Sequence, residues 1–141
     1  MKILLIGATG QLGQTLIKTK PQNIEIIECS RSNIDLSNLE LINDFILSSN
    51  ANFVINSAAY TEVDKAELES ELAYQINAEA PNAIANAVSK TKGSLIHIST
   101  DFVFDGTKNT PYNPKDYVKP LGIYGKSKAK GEEYVLKLKN N

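Results

Sequence analysis

Two residues near the end of the 141-residue chain have the types and spacing to transfer a proton. Tyr124 and Lys128 are four positions apart, so on a helix they would share one face, about one turn from each other. A tyrosine with its ordinary pKa of about 10 donates a proton poorly near neutral pH, and a nearby ammonium lowers that pKa by stabilising the phenolate. The pair could protonate the alkoxide formed when hydride reaches a ketone. An ordinary surface pair is the alternative.

A hydroxyl group precedes this pair at the end of an apolar run. Ser99 and Thr100 follow Leu95-Ile96-His97-Ile98, which reads as the end of a strand. Either hydroxyl could hydrogen-bond a carbonyl oxygen opposite the tyrosine. His97, the only histidine, is expected to be a packed residue rather than a catalytic one.

The elements that must position these groups begin with a glycine turn. The apolar run Ile3–Ile6 leads into Gly7, Gly10 and Gly13, spaced G-x-x-G-x-x-G, and a helix is predicted from about Gln11 to Lys18. Glycine lets backbone N–H groups approach a phosphate, and the helix N-terminus adds its positive dipole end. The segment therefore predicts a dinucleotide-binding turn, with a ligand-free turn as the alternative.

The rest of the chain alternates between strand and helix patterns. Strands are predicted at 24–28, 52–56 and 94–99, a helix capped by Ser37, a helical region over 68–91 that Pro81 kinks or divides, and a last helix from Tyr124. This order predicts an α/β fold, a Rossmann-like doubly wound parallel sheet with right-handed crossovers. Because only four strands are evident, the sheet is expected to be truncated after the Tyr-Lys helix.

Two predicted strand ends carry residues that suit a nucleotide. Ser30 and Arg31 follow the second strand, where an arginine suits the 2′-phosphate of NADP, although a solvent-exposed loop arginine is an equal alternative. Ala58 and Ala59 follow the third strand, and small residues there leave room for a ligand. Close packing against a neighbouring element is the other interpretation.

Composition indicates one globular domain. The chain is 42% hydrophobic and 22% charged, and its net charge of −1 gives no general attraction to nucleic acid or to an anionic membrane. The single cysteine, Cys29, excludes an internal disulfide, and no apolar run reaches membrane-spanning length. We expect a soluble, cytoplasmic protein with no nucleic-acid partner, no membrane partner and no metal site.

Four segments together resemble a known family. Residues 7–13, 56–67, 99–106 and 124–132 are similar to the extended short-chain dehydrogenases/reductases, and among these to the dTDP-4-dehydrorhamnose reductases. The similarity covers nearly the whole chain. Related sugar-nucleotide dehydratases carry a glutamate after the Thr-Asp pair, whereas this chain has Phe102 there. Dehydration is therefore not expected.

The resemblance implies a nicotinamide-dependent reductase. NADPH or NADH would pass hydride to the C4 ketone of dTDP-4-dehydro-6-deoxy-L-mannose, a dTDP-sugar, and dTDP-L-rhamnose would result. It implies three catalytic residues, Thr100, Tyr124 and Lys128. The implied cofactor residues are Gly7, Gly10, Gln11, Leu12, Gly13, Ser30, Arg31, Asp35, Leu36, Ala58, Ala59, Tyr60, Tyr124 and Lys128. Thr100 and Asp101 are implied on the substrate side, with Val63 and Asp64 as weaker candidates.

The chain is shorter than this family's pattern. Family members continue beyond the Tyr-Lys helix with a portion that closes over the sugar nucleotide, and this chain ends at Asn141. We expect residues 1–141 to form an NAD(P)-binding Rossmann domain, with the C-terminal substrate domain absent and little turnover alone. A bare sheet edge at 94–99 would favour pairing with another chain, for example in a homodimer. Two alternatives stay open: a non-catalytic dinucleotide-binding module for regulation or assembly, and another extended short-chain reductase or epimerase acting on a sugar nucleotide.

Overall fold

Four parallel strands form the centre of the protein. The computed structural model describes residues 1–138. Its strands are β1 (Lys2–Ile6), β2 (Glu25–Cys29), β3 (Phe53–Asn56) and β4 (Ser94–His97), and they lie in the order β2-β1-β3-β4. The register places Leu4 beside Val54 and Val54 beside Leu95. The winding direction reverses between β1 and β3, and in open α/β sheets ligands bind at the carboxyl ends of strands at such a point.

Helices connect the strands. They are α1 (Gln11–Thr19), α2 (Glu40–Ser49), α3 (Val63–Ala66), α4 (Ser70–Tyr74), α5 (Ala80–Ser89) and α6 (Ile123–Leu138). A π turn over Gln75–Glu79 joins α4 to α5, and a 3₁₀ turn over Asp101–Val103 follows β4. Helix α5 packs against both α2 and α6, while right-handed crossovers place α1 on the opposite face of the sheet. The predicted doubly wound α/β fold is confirmed.

The main core lies between the sheet and the α2–α5 pair. Leu4, Ile6 and Val54 contribute from the strands, and the helices add Ile42, Ile46, Ile84 and Val88. Burying one such side chain contributes roughly 1.5–3 kcal/mol. Leu5 is fully buried on the other face, because successive side chains of a strand point to opposite faces. The sheet is therefore held from both sides at β1, below the glycine turn.

The predicted cap of the second helix is wrong. Helix α2 begins at Glu40, and Leu39 stands at its N-cap with helical backbone angles and no capping side chain. The Ser37 hydroxyl instead donates to Asp35 Oδ1 at 2.8 Å, and the Ser37 amide donates to the same oxygen at 2.9 Å. These two bonds close a local turn between Asp35 and Ser37, and the helix starts only three residues after Ser37.

Pro81 does not divide the helical region, because α4, the π turn and α5 follow one another without a gap from Ser70 to Ser89. The helix changes its geometry instead, and the π turn ends at Glu79, two residues before Pro81. Proline cannot donate to the carbonyl oxygen four residues back, which is that of Asn77. The short helix α3 was not predicted. Leu12, which the resemblance places beside the cofactor, is 39% exposed.

Strand β4 lies at one edge of the sheet. It ends at His97, two residues before the predicted boundary, and Ile96 and Ile98 keep 46% and 36% of their surface exposed. Within residues 1–138, none of the helices combines the length and the apolar character that crossing a bilayer requires.

Candidate active site

The turn after β1 has a conformation that requires glycine. Gly7 has a φ of +85°, in the left-handed region, and its N–H and that of Ala8 both donate to the Cys29 carbonyl at 3.0 and 3.1 Å. A Cβ added to Gly7 would lie 2.7 Å from the Ala58 nitrogen. The first turn of the chain is therefore in direct contact with the end of β3.

Gly10 and Gly13 serve different purposes. A Cβ on Gly13 would lie 2.3 Å from the Gly7 carbonyl oxygen, so Gly13 lets α1 pack on the turn. A Cβ on Gly10 would meet only that same oxygen, at 3.4 Å, and Gly10 is exposed. Gly10 is also the N-cap of α1 and offers no side-chain acceptor to the first-turn amides of the helix. Open space beside unpaired amides fits a phosphate group.

A cleft of about 550 Å³ extends from this turn along the carboxyl ends of β1, β2 and β3. Ten of the predicted cofactor residues line it: Gly7, Gly10, Gln11, Leu12, Ser30, Arg31, Asp35, Leu36, Ala58 and Ala59. Further lining residues that the sequence did not single out are Ile6, Thr9, Ile34, Ser57, Thr61 and Ile76. The apolar members come from separate parts of the chain, and only the fold brings them together.

The other predicted cofactor residues lie outside the lining of this cleft. Gly13 is buried under the turn. The Tyr60 hydroxyl donates to Glu69 Oε2 at 2.6 Å, and this bond, with smaller contributions from burial and nearby carboxylates, raises the pKa of Tyr60 to about 12. Tyr124 and Lys128 belong to α6, at the end of β4.

Arg31 and Asp35 mark the cleft wall beyond β2. Two hydrogen bonds from Ser37, and more weakly the Arg31 charge, lower the pKa of the Asp35 carboxyl, which is therefore ionised at neutral pH. Arg31 Nη2 lies 3.8 Å from Asp35 Oδ2, and 81% of the Arg31 side chain is exposed. An exposed pair of this length is weak, so the guanidinium is free to take another anion.

Lys128 is the most deeply buried cation of the site. Only 2% of the residue is exposed, and Nζ donates to the Ile98 carbonyl oxygen at 2.6 Å. Burial lowers the pKa of Lys128 to about 8 because the charged form loses hydration. The Lys128 amine is therefore mostly protonated at pH 7, because its pKa lies about one unit above that pH.

Tyr124 lies one turn before Lys128 on α6. Its ring is half-buried and meets the Phe102 ring edge to face, with 5.4 Å between centroids and an interplanar angle of 73°. A Cβ on Gly125 would lie 2.2 Å from the Phe102 carbonyl oxygen. The glycine therefore lets the first turn of α6 press against the 3₁₀ turn that carries Asp101 and Phe102.

Thr100 starts that 3₁₀ turn. Its hydroxyl accepts the Phe102 N–H at 3.3 Å and donates to Asp101 Oδ1 at 3.3 Å. Ser99, the alternative hydroxyl, has its Oγ buried without a hydrogen-bond partner in the part of the chain that the structure describes. Thr100, Asp101, Tyr124 and Lys128 thus gather at the carboxyl end of β4. Val63 and Asp64, the weaker candidates, lie on the exposed helix α3.

Two buried asparagines support the site, and the sequence did not single them out for a role. Asn56 is 1% exposed, its Oδ1 accepts the Ala58 N–H at 3.2 Å, and its Nδ2 meets His97 Nδ1 at 3.2 Å. Asn77, also 1% exposed, bonds the backbone of Tyr60 and the hydroxyl of Ser127. For Asn77, the sequence did contain a signal: a polar residue stands at a core-facing position of an alanine-rich helical stretch.

A second opening, of about 700 Å³, lies on the outer side of α6 near Pro120. None of the predicted site residues lines it, and the Lys130–Glu133 ion pair at 2.8 Å lies on its rim. The smaller cleft above β1 is the better candidate, because ten of the predicted cofactor residues line it.

Comparisons with known proteins agree with this geometry. The family model described as RmlD substrate binding domain matches residues 1–141. The dTDP-4-dehydrorhamnose reductase of Aggregatibacter actinomycetemcomitans is 41% identical over 139 residues, which are 97% of this chain and 47% of that protein. That of Burkholderia thailandensis is 39% identical over 132 residues, or 94% of this chain and 44% of the relative.

Solved structures give the same relationship. A dTDP-4-dehydrorhamnose reductase from Clostridium acetobutylicum superposes with a TM-score of 0.94 at 42% identity, over 98% of this chain and 50% of that one. The reductase from Bacillus anthracis, solved in complex with NADP, gives 0.92 at 35% identity, over 97% and 49% of the two chains. The chain spans about half the length of the relatives it matches. It belongs to the RmlD substrate-binding domain family.

Proposed function

We propose that residues 1–141 form the NAD(P)-binding Rossmann domain of a dTDP-4-dehydrorhamnose reductase and carry its proton-transfer residues. The observation that carries the proposal is the continuous cleft from the Gly7–Gly10 turn to Ala58 and Ala59, with Lys128 and Tyr124 at the next strand end. Parallel strands bring these carboxyl ends to one edge of the sheet. A dinucleotide laid along that edge would reach from one group to the other.

The cleft fits a dinucleotide in charge and shape. The space at Gly10 and the free first-turn amides of α1, at Gln11 and Leu12, would hold the pyrophosphate. Asp35 and Leu36 would line the adenine end, and the small residues Ala58 and Ala59 would leave room for the ribose and phosphate region. The relative from Bacillus anthracis is solved with NADP, which supports NADPH, and Arg31 supplies a cation for its 2′-phosphate.

The proton-transfer groups act on the substrate's ketone. The nicotinamide, when bound, supplies the hydride that reaches C4. The Tyr124 hydroxyl gives its proton to the carbonyl oxygen, and the Lys128 ammonium stabilises the phenolate that remains. The Thr100 hydroxyl would hydrogen-bond the same oxygen and orient the ketone, and Asp101 would shape the sugar side. Gly13 and Tyr60 would support the cofactor site from behind its lining.

Two findings support the proposed substrate class: the activity of the curated relatives and the residue at position 102. Both curated relatives named above are dTDP-4-dehydrorhamnose reductases. Phe102 stands where related dehydratases carry a glutamate, so the chain lacks the base that dehydration requires. Reduction of the C4 ketone of dTDP-4-dehydro-6-deoxy-L-mannose to dTDP-L-rhamnose is therefore favoured over dehydration of a sugar nucleotide.

The setting we propose is the cytoplasm, with a dTDP-sugar as partner and neither nucleic acid nor membrane. The net charge of −1 and the unpaired, buried Cys29 are consistent with it. The edge strand β4, with Ile96 partly exposed, would serve as the pairing surface of a homodimer.

A second candidate function is dinucleotide binding without turnover. One observation favours it: the cleft that fits the dinucleotide is lined without Tyr124 or Lys128. Binding of NADPH in this cleft would therefore not require the proton-transfer pair to act. Such a module would serve regulation or assembly.

Two measurements separate these functions. Titration of NADPH, followed by the fluorescence of its reduced nicotinamide, is expected to give saturable binding to the 141-residue chain; a lack of saturation contradicts both functions. Oxidation of NADPH with dTDP-4-dehydro-6-deoxy-L-mannose then tests turnover. Turnover that Tyr124→Phe abolishes, with binding retained, supports the reductase, whereas binding without turnover supports the module.

A further inference from the structure

Gln75 makes a long-range hydrogen bond near the end of the cleft that lies beyond β2. Its side-chain Nε2 donates to the Ser37 carbonyl oxygen at 2.5 Å, although 38 residues separate the two in the chain. Gln75 begins the π turn between α4 and α5, and its own carbonyl oxygen accepts the Ala80 N–H. The side-chain bond therefore starts from a hydrogen-bonded helical backbone and ends on a separate turn of the chain.

Each end of this bond adjoins a wall of the cleft. On one side, Leu36 directly precedes Ser37, and both Leu36 and Asp35 line the cleft. On the other side, Ile76 directly follows Gln75 and lines the cleft as well. The Ser37 amide and hydroxyl both donate to Asp35 Oδ1, at 2.9 and 2.8 Å. The bond from Gln75 therefore joins the wall at Ile76 to the wall at Asp35 and Leu36.

The Gln75 side chain has open space beside it. Gln75 is partly buried and does not line the dinucleotide cleft; it lines a separate opening of about 430 Å³ with residues 68–72. Ile76 is only partly buried, at the border of the core to which Leu36 belongs. If the hydrogen bond were lost, the two walls could move apart at this end of the cleft without meeting tightly packed protein beside Gln75.

We propose that Gln75 is a positioning residue that sets the width of the adenine end of the cleft, and with it the size of the base that the cleft accepts. The proposal rests on the proposed function, because the adenine of the dinucleotide would then lie between these two walls. The ligand that the closed walls favour is a dinucleotide with an unmodified adenine. The bond involves neither the glycine turn nor α6, so we expect the phosphate and nicotinamide positions to stay as they are.

The test compares two ligands that differ only in the base. NADP⁺ carries adenine, whereas in etheno-NADP⁺ a two-carbon bridge closes an additional ring on the adenine. Calorimetry measures the affinity of both ligands for the wild-type 141-residue chain and its variants. The ratio of the two affinities reports selectivity for the base, because a general loss of stability weakens the binding of both ligands alike.

Three variants of Gln75 separate its hydrogen bond from its bulk. Gln75→Glu keeps the shape of the side chain without a donor at neutral pH, Gln75→Ala removes most of the side chain, and Gln75→Lys keeps a donor of similar reach. Gln22→Ala is the matched control, because Gln22 is an exposed glutamine in the turn before β2, at the opposite edge of the sheet from the cleft.

We expect the wild-type chain to bind NADP⁺ about tenfold more tightly than etheno-NADP⁺, because the extra ring overpacks a closed site. The ratio should fall below about threefold in Gln75→Ala and Gln75→Glu and stay near the wild-type value in Gln75→Lys and Gln22→Ala. Equal affinities in the wild-type chain, or an unchanged ratio in Gln75→Glu, would overturn the proposal. A ratio lowered equally in Gln75→Lys would also overturn it, since the donated bond would then not be the cause.

Hydrogen exchange of the free chain supplies the second measurement. The Ser37 amide is expected to exchange faster in Gln75→Glu than in the wild-type chain or Gln75→Lys, because the turn at Asp35 is then held at one end only. Equal rates in all three would overturn the proposal at its structural basis. A wild-type chain that bound neither NADP⁺ nor etheno-NADP⁺ would instead contradict the proposed function, so the two failures are distinguishable.

Discussion

Lys128 Nζ donates a hydrogen bond of 2.6 Å to the carbonyl oxygen of Ile98, which joins α6 to the chain just beyond β4. The bond fixes the lysine one turn from Tyr124 and holds its charge in a nearly closed environment, with 2% of the residue exposed. A buried ammonium loses hydration and so lowers the stability of the folded chain, and the lowering of the Lys128 pKa to about 8 has the same cause. The residue proposed to act on the tyrosine is therefore also a source of instability.

Lys128→Met is expected to stabilise the free chain at pH 7. The folded pKa of about 8 lies below the ordinary 10.5, so between these values the unfolded chain binds more protons and wild-type stability rises with pH. Below pH 8 the buried charge lowers the free energy of unfolding. Its removal should raise that free energy by about 1 kcal/mol, because the gain exceeds the loss of the hydrogen bond to Ile98.

Urea unfolding at pH 7 and pH 10 measures this effect, with Lys126→Met, an exposed lysine of the same helix, as the control. The advantage of Lys128→Met should shrink or reverse at pH 10, where Lys128 is neutral in the folded chain. A variant less stable than wild type by the same amount at both pH values would show that burial does not disfavour this charge.

Gly10→Val and Gly13→Ala should separate binding from folding. The backbone of Gly10 has φ −74° and ψ 169°, which valine adopts, and a Cβ there meets only one atom, at 3.4 Å. Valine would fill the space proposed for the pyrophosphate, so NADPH binding should fall more than 100-fold while stability changes by about 1 kcal/mol or less. A Cβ on Gly13 would lie 2.3 Å from the Gly7 carbonyl oxygen, so Gly13→Ala should destabilise the fold.

Thermal unfolding and NADPH titration of the same samples check both expectations. If Gly10→Val bound NADPH as well as the wild-type chain, the phosphate position proposed at this turn would be wrong. If Gly13→Ala unfolded at the same temperature as the wild-type chain, there would have to be room for a Cβ between α1 and the Gly7 carbonyl oxygen, contrary to the 2.3 Å distance.

Much of this fold could be predicted because its signals are local. Alternating strand and helix patterns gave four strands in the right places, and the spacing of Gly7, Gly10 and Gly13 marked the turn. Contacts between distant parts of the chain gave no such signal. Asn77 meets partners 17 and 50 residues away, and no local pattern encodes either bond. The prediction that Ser37 caps α2 was wrong for a local reason, because the Ser37 hydroxyl and amide both donate to the Asp35 carboxylate.

Arg31→Ala should change the preference between the two nicotinamide cofactors. The Arg31 side chain is 81% exposed at the cleft wall and only weakly paired with Asp35 at 3.8 Å. A guanidinium–phosphate bond contributes roughly 1.5–3 kcal/mol, so the substitution should weaken NADPH binding by about tenfold or more and leave NADH nearly unchanged. Paired titrations with both cofactors measure the ratio. Equal losses for the two would exclude a contact between Arg31 and the 2′-phosphate.

Glu67 is expected to hold the start of α6 in place. Its Oε1 accepts the Ile123 N–H at 2.7 Å, directly before Tyr124, and a carboxylate near a helix N-terminus is favoured by the helix dipole. Glu67→Ala should cost about 1 kcal/mol and Glu67→Gln less, because glutamine keeps an acceptor but loses the charge. Urea unfolding gives the energies, and amide exchange at residues 123–126 should accelerate in Glu67→Ala. Glu71→Ala, which changes an exposed glutamate of α4, is the control. If it had the same effect as Glu67→Ala, Glu67 would have no specific role at the start of α6.

His97 should make the chain less stable in mild acid. Burial, and then the Lys128 charge, lowers the pKa of His97 from 6.5 to about 4, and its Nδ1 meets Asn56 Nδ2 at 3.2 Å. Because the folded pKa is the lower one, the unfolded chain binds an extra proton between pH 6.5 and 4. Stability is therefore full above pH 6.5 and falls as the pH drops, by about 2 kcal/mol between pH 7 and pH 5.

The comparison with His97→Gln isolates this effect, because His97 is the only histidine of the chain. The carboxyl groups with lowered pKa values, those of Asp35, Asp105, Asp116 and Glu133, start from 4.5 or less and affect stability mainly below pH 5. Urea unfolding at pH 7, 6 and 5 should show a loss in the wild-type chain that is much smaller in His97→Gln. Parallel losses in the two chains would mean that His97 takes up its proton in the folded state.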